Sequence, residues 1–520
     1  MKSKATLEIT KKYLTFPVNP KRSIKKVCFH ENGELIFDLD IALDNISPTF
    51  TAFVDVSRMH GRTVTLSVSP EMPIHIGETD DFTLENEYGE EYRPDYHFTV
   101  KNGWNNDPNG LFKYNGKYHL FCQYNPCSTV WGNMHWGHAV SDDLVLFEEK
   151  DFFLFPDKHG TAFSGSAFID RANASGLKKN ENDPILLYYT AAPNNLLAKG
   201  EEWKQLIYYS TDGGESFVPY DDSVFIPQYA RENRDPRVEY CPELGKYIMV
   251  LFLDKNDVMF FVSDDLLHWS EHQTVTLPSE RECPNIARFK VDNTEDEYRW
   301  ALYGANGVYF VGVFEDGYFK IIQDGVKPYI STSAYAGQDF EDHDTGRRLK
   351  IDWHRMSIPE ARFSQQMSVP CEIRLVKENG VYYLTSNPAS ELYAYVCTER
   401  DLRSIAPATA DLTENACIIE LEMPFDENEV TEITVFGKRI ILDTRANTAR
   451  CENACLPLSA DKSCVKLCAV IDKCSCELFT DGGKYYASGF ALMDYNLKYI
   501  SLKSKNGITP DKFTVKELKK

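Results

Sequence analysis

The chain has 520 residues, 43% of them apolar, which is too long for one ordinary domain and leaves material for two or three packed cores. Its formal net charge of −22 repels phosphate backbones, which excludes nucleic acid as an expected partner and suits a neutral or cationic small ligand. No stretch approaches the ~18 apolar residues of a membrane span, and the opening residues show neither an apolar h-region nor a cleavage site, so no membrane and a cytoplasmic location are expected.

Residues 1–95 alternate apolar and polar positions with period two. Leu35, Phe37, Leu39, Ile41 and Leu43 fall on one face, which predicts a small N-terminal β-sandwich. The acidic, turn-rich stretch from Gly77 to Tyr96 reads as a surface linker. From 96 to 385 short strands alternate with turns. The stretches starting at His138, Tyr208 and Phe260 share one design: an apolar strand, Ser-Asp or Thr-Asp, a turn, then an aromatic. Val311 starts a degenerate copy. The copies recur about every 50 to 70 residues, near the period of propeller blades, and predict about five blades. From 386 to 520 the strands again read as a sandwich, with a hairpin turn after Thr480 and no catalytic constellation. The expected fold is thus all-β, a five-bladed β-propeller flanked by an N-terminal and a C-terminal β-sandwich.

Fourteen cysteines invite a metal reading, above all the cluster Cys451, Cys455, Cys464, Cys468, Cys474 and Cys476. No C-x-x-C pair and no His lie in it, so buried reduced thiols are expected, with Cys474 and Cys476 on one side of a strand. His119, His135 and His138 likewise lack a carboxylate at ligand spacing. No metal and no cofactor are expected.

Three acidic motifs in the middle region carry chemistry: Asn106-Asp107-Pro108, Arg234-Asp235-Pro236 and Glu282-Cys283-Pro284. Asp107 sits among turn formers in Trp104-Asn-Asn-Asp-Pro-Asn-Gly110, and each proline fixes where its acid points. Singly, each acid is equally well a solvated or salt-bridged turn residue. On three blades of a propeller they could ring one pocket. Glycoside hydrolysis needs such a set: one carboxylate to attack or activate water, and one protonated acid, its pKa pushed upward, for the leaving oxygen. A third acid, Asp235, would be held ionised by Arg234. Trp104, Trp131, Trp136 and Phe163 offer stacking faces, and Asn106, Gln123 and Ser164 offer hydrogen bonds.

These motifs, followed in order by Tyr335-Ala-Gly-Gln338, Gly346 to Trp353 and Asp472-Lys-Cys-Ser-Cys-Glu-Leu-Phe479, resemble glycoside hydrolase family 32, the β-fructofuranosidases, over about 96 to 480. The first 95 residues are similar to the extra sandwich preceding some bacterial fructan hydrolases. The resemblance implies a retaining mechanism with Asp107 as nucleophile, Glu282 as general acid/base and Asp235 as stabiliser of the transition state. Trp104, Asn106, Gln123, Trp131, Phe163, Ser164, Arg234, Tyr335 and Trp353 would bind the fructosyl unit. Asn105 stands where the family usually has Met, Pro284 lacks its usual following Asp, Cys371 replaces a common Arg, and the segment from Asp352 to Gln366 is poor in Gly and Trp. The substrate implied is a fructo-oligosaccharide, short fructan or sucrose. A fructosyltransferase, an inverting arabinose- or xylose-active hydrolase and a non-catalytic fructan-binding protein stand as alternatives. Linkage preference and homo-oligomer formation are left open.

Overall fold

The computed structural model describes residues 4–220, 224–359, 361–403 and 408–520, so Glu360 of the Asp352 to Gln366 segment lies outside the described residues. Nearly every regular element is a strand, and no helix among the described residues is long and apolar enough to cross a membrane.

The N-terminal strands form one sheet of four (Lys4–Glu8, Thr63–Ser69, Lys25–Glu31, Glu34–Ile41) and one of three (Phe50–Asp55, Tyr13–Val18, Gly77–Thr79). They enclose a core that includes Leu14, Phe16, Phe29, Phe37, Leu39 and Val54. Phe37, Leu39, Ile41 and Leu43 are buried as the alternation predicts. Leu35 is not: a bulge at Phe29/His30 shifts the register, so Ile36 packs on the core in its place. The segment after Gly77 lies largely exposed up to Glu91, as a surface linker would, but it is pinned to the domains at two points. Phe82 stacks on Phe53 at 4.5 Å, and the buried Arg93 bonds Thr99 at 2.8 Å and lies 3.5 Å over the Phe363 ring.

Five antiparallel four-stranded meanders follow. Their innermost strands are Gly103–Tyr114, Thr161–Ile169, Arg234–Cys241, Asn285–Asp292 and Ala334–Asp342. The first lies beside the second and the fifth, and Asn285 Nδ2 donates across the fourth and fifth blades to the Gly337 carbonyl at 2.9 Å, so the ring is a five-bladed propeller. The repeat seen in the sequence is the corner between the third and fourth strands of a blade. There Ser141, Ser210 and Ser263 donate to Asp143, Asp212 and Asp265 at 2.9, 2.7 and 3.1 Å. Each of these carboxylates accepts backbone amides of the turn, the local pattern that Ser and Asp favour. The copy at Val311 is the corresponding hairpin of the fourth blade.

Two six-stranded sheets make the C-terminal sandwich, and the strands Ser475–Thr480 and Tyr485–Phe490 form the expected hairpin. Asp472 and Glu477 clasp His97 at the root of the propeller, at 2.9 and 2.7 Å, with all three side chains fully buried. Burial opposes a charge on His97, but the two carboxylates raise its pKa to about 9, so the clasp is ionic. His354 and Glu477 join His97 within ligand-atom reach, but this nitrogen-rich group already holds a proton between carboxylates. Cys474 and Cys476 do not share a side: Cys474 lies in the turn between Asp472 and Ser475 and packs near Met356, while Cys476 enters the sandwich core. All fourteen cysteines are free thiols.

Candidate active site

The innermost strands lose register at matching places. Two residues are skipped between Asn105 and Pro108, between Ala162 and Gly165, between Arg234 and Arg237, and between Tyr335 and Gln338. A bulge bends the strand and re-aims its side chains. The residues freed are Asn106-Asp107, Phe163-Ser164, Asp235-Pro236 and Ala336-Gly337. In the fourth blade Glu282, Cys283 and Pro284 directly precede the paired run that starts at Asn285. Asp235, Glu282, Cys283 and Ala336 all have positive φ, at 65°, 26°, 46° and 48°, a clustering of backbone strain that sites of chemistry tend to show.

The bulges bring the three predicted carboxylates together. Asp107 accepts Ser164 Oγ at 2.7 Å on one oxygen and Asn106 Nδ2 at 3.1 Å on the other. Cys283 Sγ lies 3.5 Å from both Asp107 Oδ2 and Asp235 Oδ2, and its backbone amide donates to Asp235 at 2.9 Å. Arg234 donates to Glu282 Oε2 at 2.7 Å, and the Tyr335 hydroxyl bonds Glu282 Oε1. Asp235 is salt-bridged only loosely, with Arg234 Nε at 3.7 Å, and Arg237 turns away to Glu239 and Asp339.

Asp235 and Glu282 share the Arg234 guanidinium, and the pKa values of the three acids diverge. Burial, then the charge of Glu282, lifts Asp107 above the usual carboxylate range despite its hydrogen bonds from Ser164 and Asn106. Burial lifts Asp235 to about 7; Arg234 opposes the rise, and the charges of Glu282 and Asp107 add to it. Burial also disfavours charge on Glu282, but the bonds from Arg234 and Tyr335 outweigh it and lower its pKa. This corrects two expectations. Arg234 makes its short bond to Glu282, so Glu282 is the acid held ionised and Asp235 is the one pushed upward. Burial and the neighbouring carboxylates keep the Cys283 thiol protonated.

Aromatic rings wall the site on two sides. Trp104 donates to Asn106 Oδ1 at 2.8 Å and meets Trp353 edge-on at 6.0 Å, and Trp353 meets Tyr335 at 5.9 Å. Opposite, Trp131 lies 5.9 Å from Phe163, and Phe163 lies 5.2 Å from Trp203, whose ring faces Arg234 at 6.0 Å. Trp131 is 51% exposed and stands at the mouth rather than in the depth. Gln123 is buried and donates to the Ala162 carbonyl at 2.9 Å, which steadies the second bulge. Trp136 is wholly buried in the blade core and donates to the Phe163 carbonyl at 2.9 Å, so it offers no stacking face.

Sequence reasoning missed three contributors. Trp203 lies outside every motif quoted above, immediately before the strand Lys204–Ser210. Cys283 carries no signal of its own beyond its place in the Glu282-Cys-Pro motif. Glu280 is buried, with its pKa lifted to about 7 by burial against its hydrogen bonds from the Asn306 and Val308 amides. It fastens the loop that carries Glu282.

The glycosyl hydrolases family 32 N-terminal domain model matches residues 97–388, the propeller region. Over 489 residues the chain is 29% identical to a levanase from Bacillus subtilis, covering 83% of this chain and 71% of that one. An invertase from Schizosaccharomyces pombe is 31% identical over 349 residues, 60% of this chain and 58% of the other. The crystal structure of exo-inulinase from Aspergillus awamori superposes with a TM-score of 0.72 at 22% identity, over 83% of this chain and 99% of that one. With a propeller matched along its whole length, the chain belongs to glycosyl hydrolase family 32.

Proposed function

We propose that the protein is a retaining exo-β-fructosidase, releasing terminal non-reducing β-D-fructosyl units from fructo-oligosaccharides, short fructans or sucrose. The observation that carries this is the meeting of Asp107, Asp235 and Glu282, from three blades, around Cys283 and Arg234. The levanase, invertase and fructan β-fructosidase among its relatives support a fructoside as substrate.

In the first step an Asp107 oxygen attacks the anomeric carbon of the fructosyl unit. The bond to the leaving oxygen breaks, and that oxygen takes a proton from Glu282. In the second step water attacks the same carbon, gives its proton to Glu282 and releases Asp107. Ser164 and Asn106 hold both Asp107 oxygens in place for attack. Glu282, held ionised by Arg234 and Tyr335, is set for the base step and must gain a proton for the acid step. Substrate entering between it and water favours that uptake, because desolvation penalises the charged form. Asp235 lies beside Asp107, and in its ionised form its negative charge stabilises the positive charge that develops on the sugar.

Purified protein given sucrose, inulin-type and levan-type oligosaccharides is expected to release fructose, with the β anomer first in an NMR time course. No release from any of them would sink the activity, and the α anomer appearing first would sink retention. Fourteen free thiols support a reducing compartment, the cytoplasm, as the site of action. Recovery of the enzyme in the extracellular fraction would contradict that.

A further inference from the structure

The outer wall of the site stands on two loops. Residues 126–134, in the first blade, carry Trp131, and residues 193–203, in the second, end at Trp203. Both loops are gripped by one strand of the N-terminal sandwich, Glu34–Ile41. Its apolar positions enter the sandwich core, so Asp38 and Asp40 point to the face that an isolated sandwich would give to water. Yet Asp38 is only 2% exposed. Its two oxygens accept the Leu197 amide at 3.0 Å and the Leu196 amide at 3.1 Å, and Lys26 neutralises it at 2.9 Å. The backbone of Asp40 pairs both ways with the Asn133 side chain, at 2.8 and 2.6 Å. Asn133 is one foot of the Trp131 loop, and Cys127, near the other foot, is buried inside the sandwich's own core. Anchorage to the propeller is served elsewhere, by Arg58 on the Pro156 carbonyl at 3.1 Å and Asn102 on the Thr51 carbonyl at 3.0 Å. The Asp38 and Asp40 contacts go instead to the wall.

Resting on the fructosidase proposal, we infer that the N-terminal sandwich positions the wall that receives the substrate units beyond the cleaved bond, with Asp38 as its positioning residue. Glu282 protonates the leaving oxygen, and Arg234, bonded to Glu282, faces Trp203. From Trp203 the row of rings runs outward through Phe163 to the half-exposed Trp131. A unit attached to the leaving oxygen would meet that row, which assigns Trp131 and Phe163 to the leaving side and not to the fructosyl unit, where the family resemblance puts them. Sugar faces stack on such rings, and the rings are only as well placed as the loops beneath them.

The test compares wild type, Asp38→Ala and Asn133→Ala on sucrose and on longer inulin- and levan-type oligosaccharides. For the longer substrates KM is expected to rise about three- to tenfold, the worth of one displaced aromatic contact. On sucrose the rise is expected to be smaller, with kcat within about twofold throughout. Asp38→Asn, which keeps one acceptor oxygen, is expected to recover part of the loss, and acrylamide is expected to quench the tryptophan fluorescence of Asp38→Ala more readily. Unchanged KM, or an equal change on every substrate, would overturn the inference. If Asp38→Ala does not fold, Asn133→Ala, which leaves the Asp38–Lys26 pair intact, gives the same comparison. Failure of the wild type to release fructose would instead overturn the proposed activity, so the two outcomes are distinct.

Discussion

Asp235 and Asp339 sit on innermost strands of the same propeller, both buried, and their pKa values move in opposite directions. Asp339 faces Arg237, Arg348 and the Tyr303 hydroxyl, and although burial disfavours its charge, the two guanidiniums lower its pKa. Glu239 completes that cluster, 2.7 Å from Arg237 and 2.8 Å from Arg348. Beside Asp235 the one close cation, Arg234, is shared with Glu282, while Asp107 adds a further carboxylate, and Asp235 rises to about 7. Burial alone therefore does not set the charge of a carboxylate; the number of cations facing it does. Matched charges surround Asp339, whereas Asp235 faces carboxylates that outnumber the cations beside it.

The contrast breaks most visibly at Asp107. Asp107→Asn is expected to lower kcat roughly 10⁴-fold or more while the thermal midpoint holds or rises, because it removes the nucleophile and also one of the crowded charges. Steady-state kinetics beside a thermal melt check both halves. Glu282→Gln is expected to cost about 10² to 10⁴-fold on sucrose and far less on a fructoside with an activated leaving group, since proton donation matters most for poor leaving groups. Equal losses on both would remove Glu282 from the acid role. Asp339→Ala is expected to do the reverse of Asp107→Asn. It leaves Arg237 and Arg348 buried with too little negative charge, at about 3–5 kcal/mol in denaturant unfolding, with kcat near wild type in the fraction that folds.

The smallest effect concerns pH. The folded pKa of Asp235, about 7, lies above its unfolded value of about 4, so the native state holds the extra proton between those values. Stability from this group is present below pH ~4 and is lost as pH rises through ~7. Asp235→Asn is expected to stabilise the protein by about 1–3 kcal/mol at pH 8 and by little at pH 4, at the expense of kcat. A stabilisation equal at both pH values would show that Asp235 carries its charge unhindered. Because the acids interact, titration of activity reports the cluster rather than one member.

What was legible in the sequence follows from what is local. The Ser-Asp corners are made within a few residues, so their repeat announced the blades. The proline-flanked acids at Asp107, Asp235 and Glu282 likewise carry their own signal, although Asp107 and Asp235 lie in strand bulges and not in the turns their neighbours suggest. The register breaks were not legible, because a bulge depends on the partner strand: nothing in Ala162 to Gly165 alone says that Phe163 and Ser164 are skipped. Nor was the choice of Arg234 between Asp235 and Glu282, which are 47 residues apart in the chain and meet only through the ring. Asp38 looked like an ordinary solvent position of an alternating strand, and only the propeller packed against it gives it amides to hold.

The most direct measurement is mass spectrometry of the Glu282→Gln enzyme, quenched in acid during turnover of an activated fructoside and then digested. Without its base the second step slows, and a hexosyl adduct is expected on the peptide carrying Asp107. An adduct on the peptide carrying Asp235, or no adduct while the α anomer of fructose accumulates, would contradict Asp107 as the nucleophile.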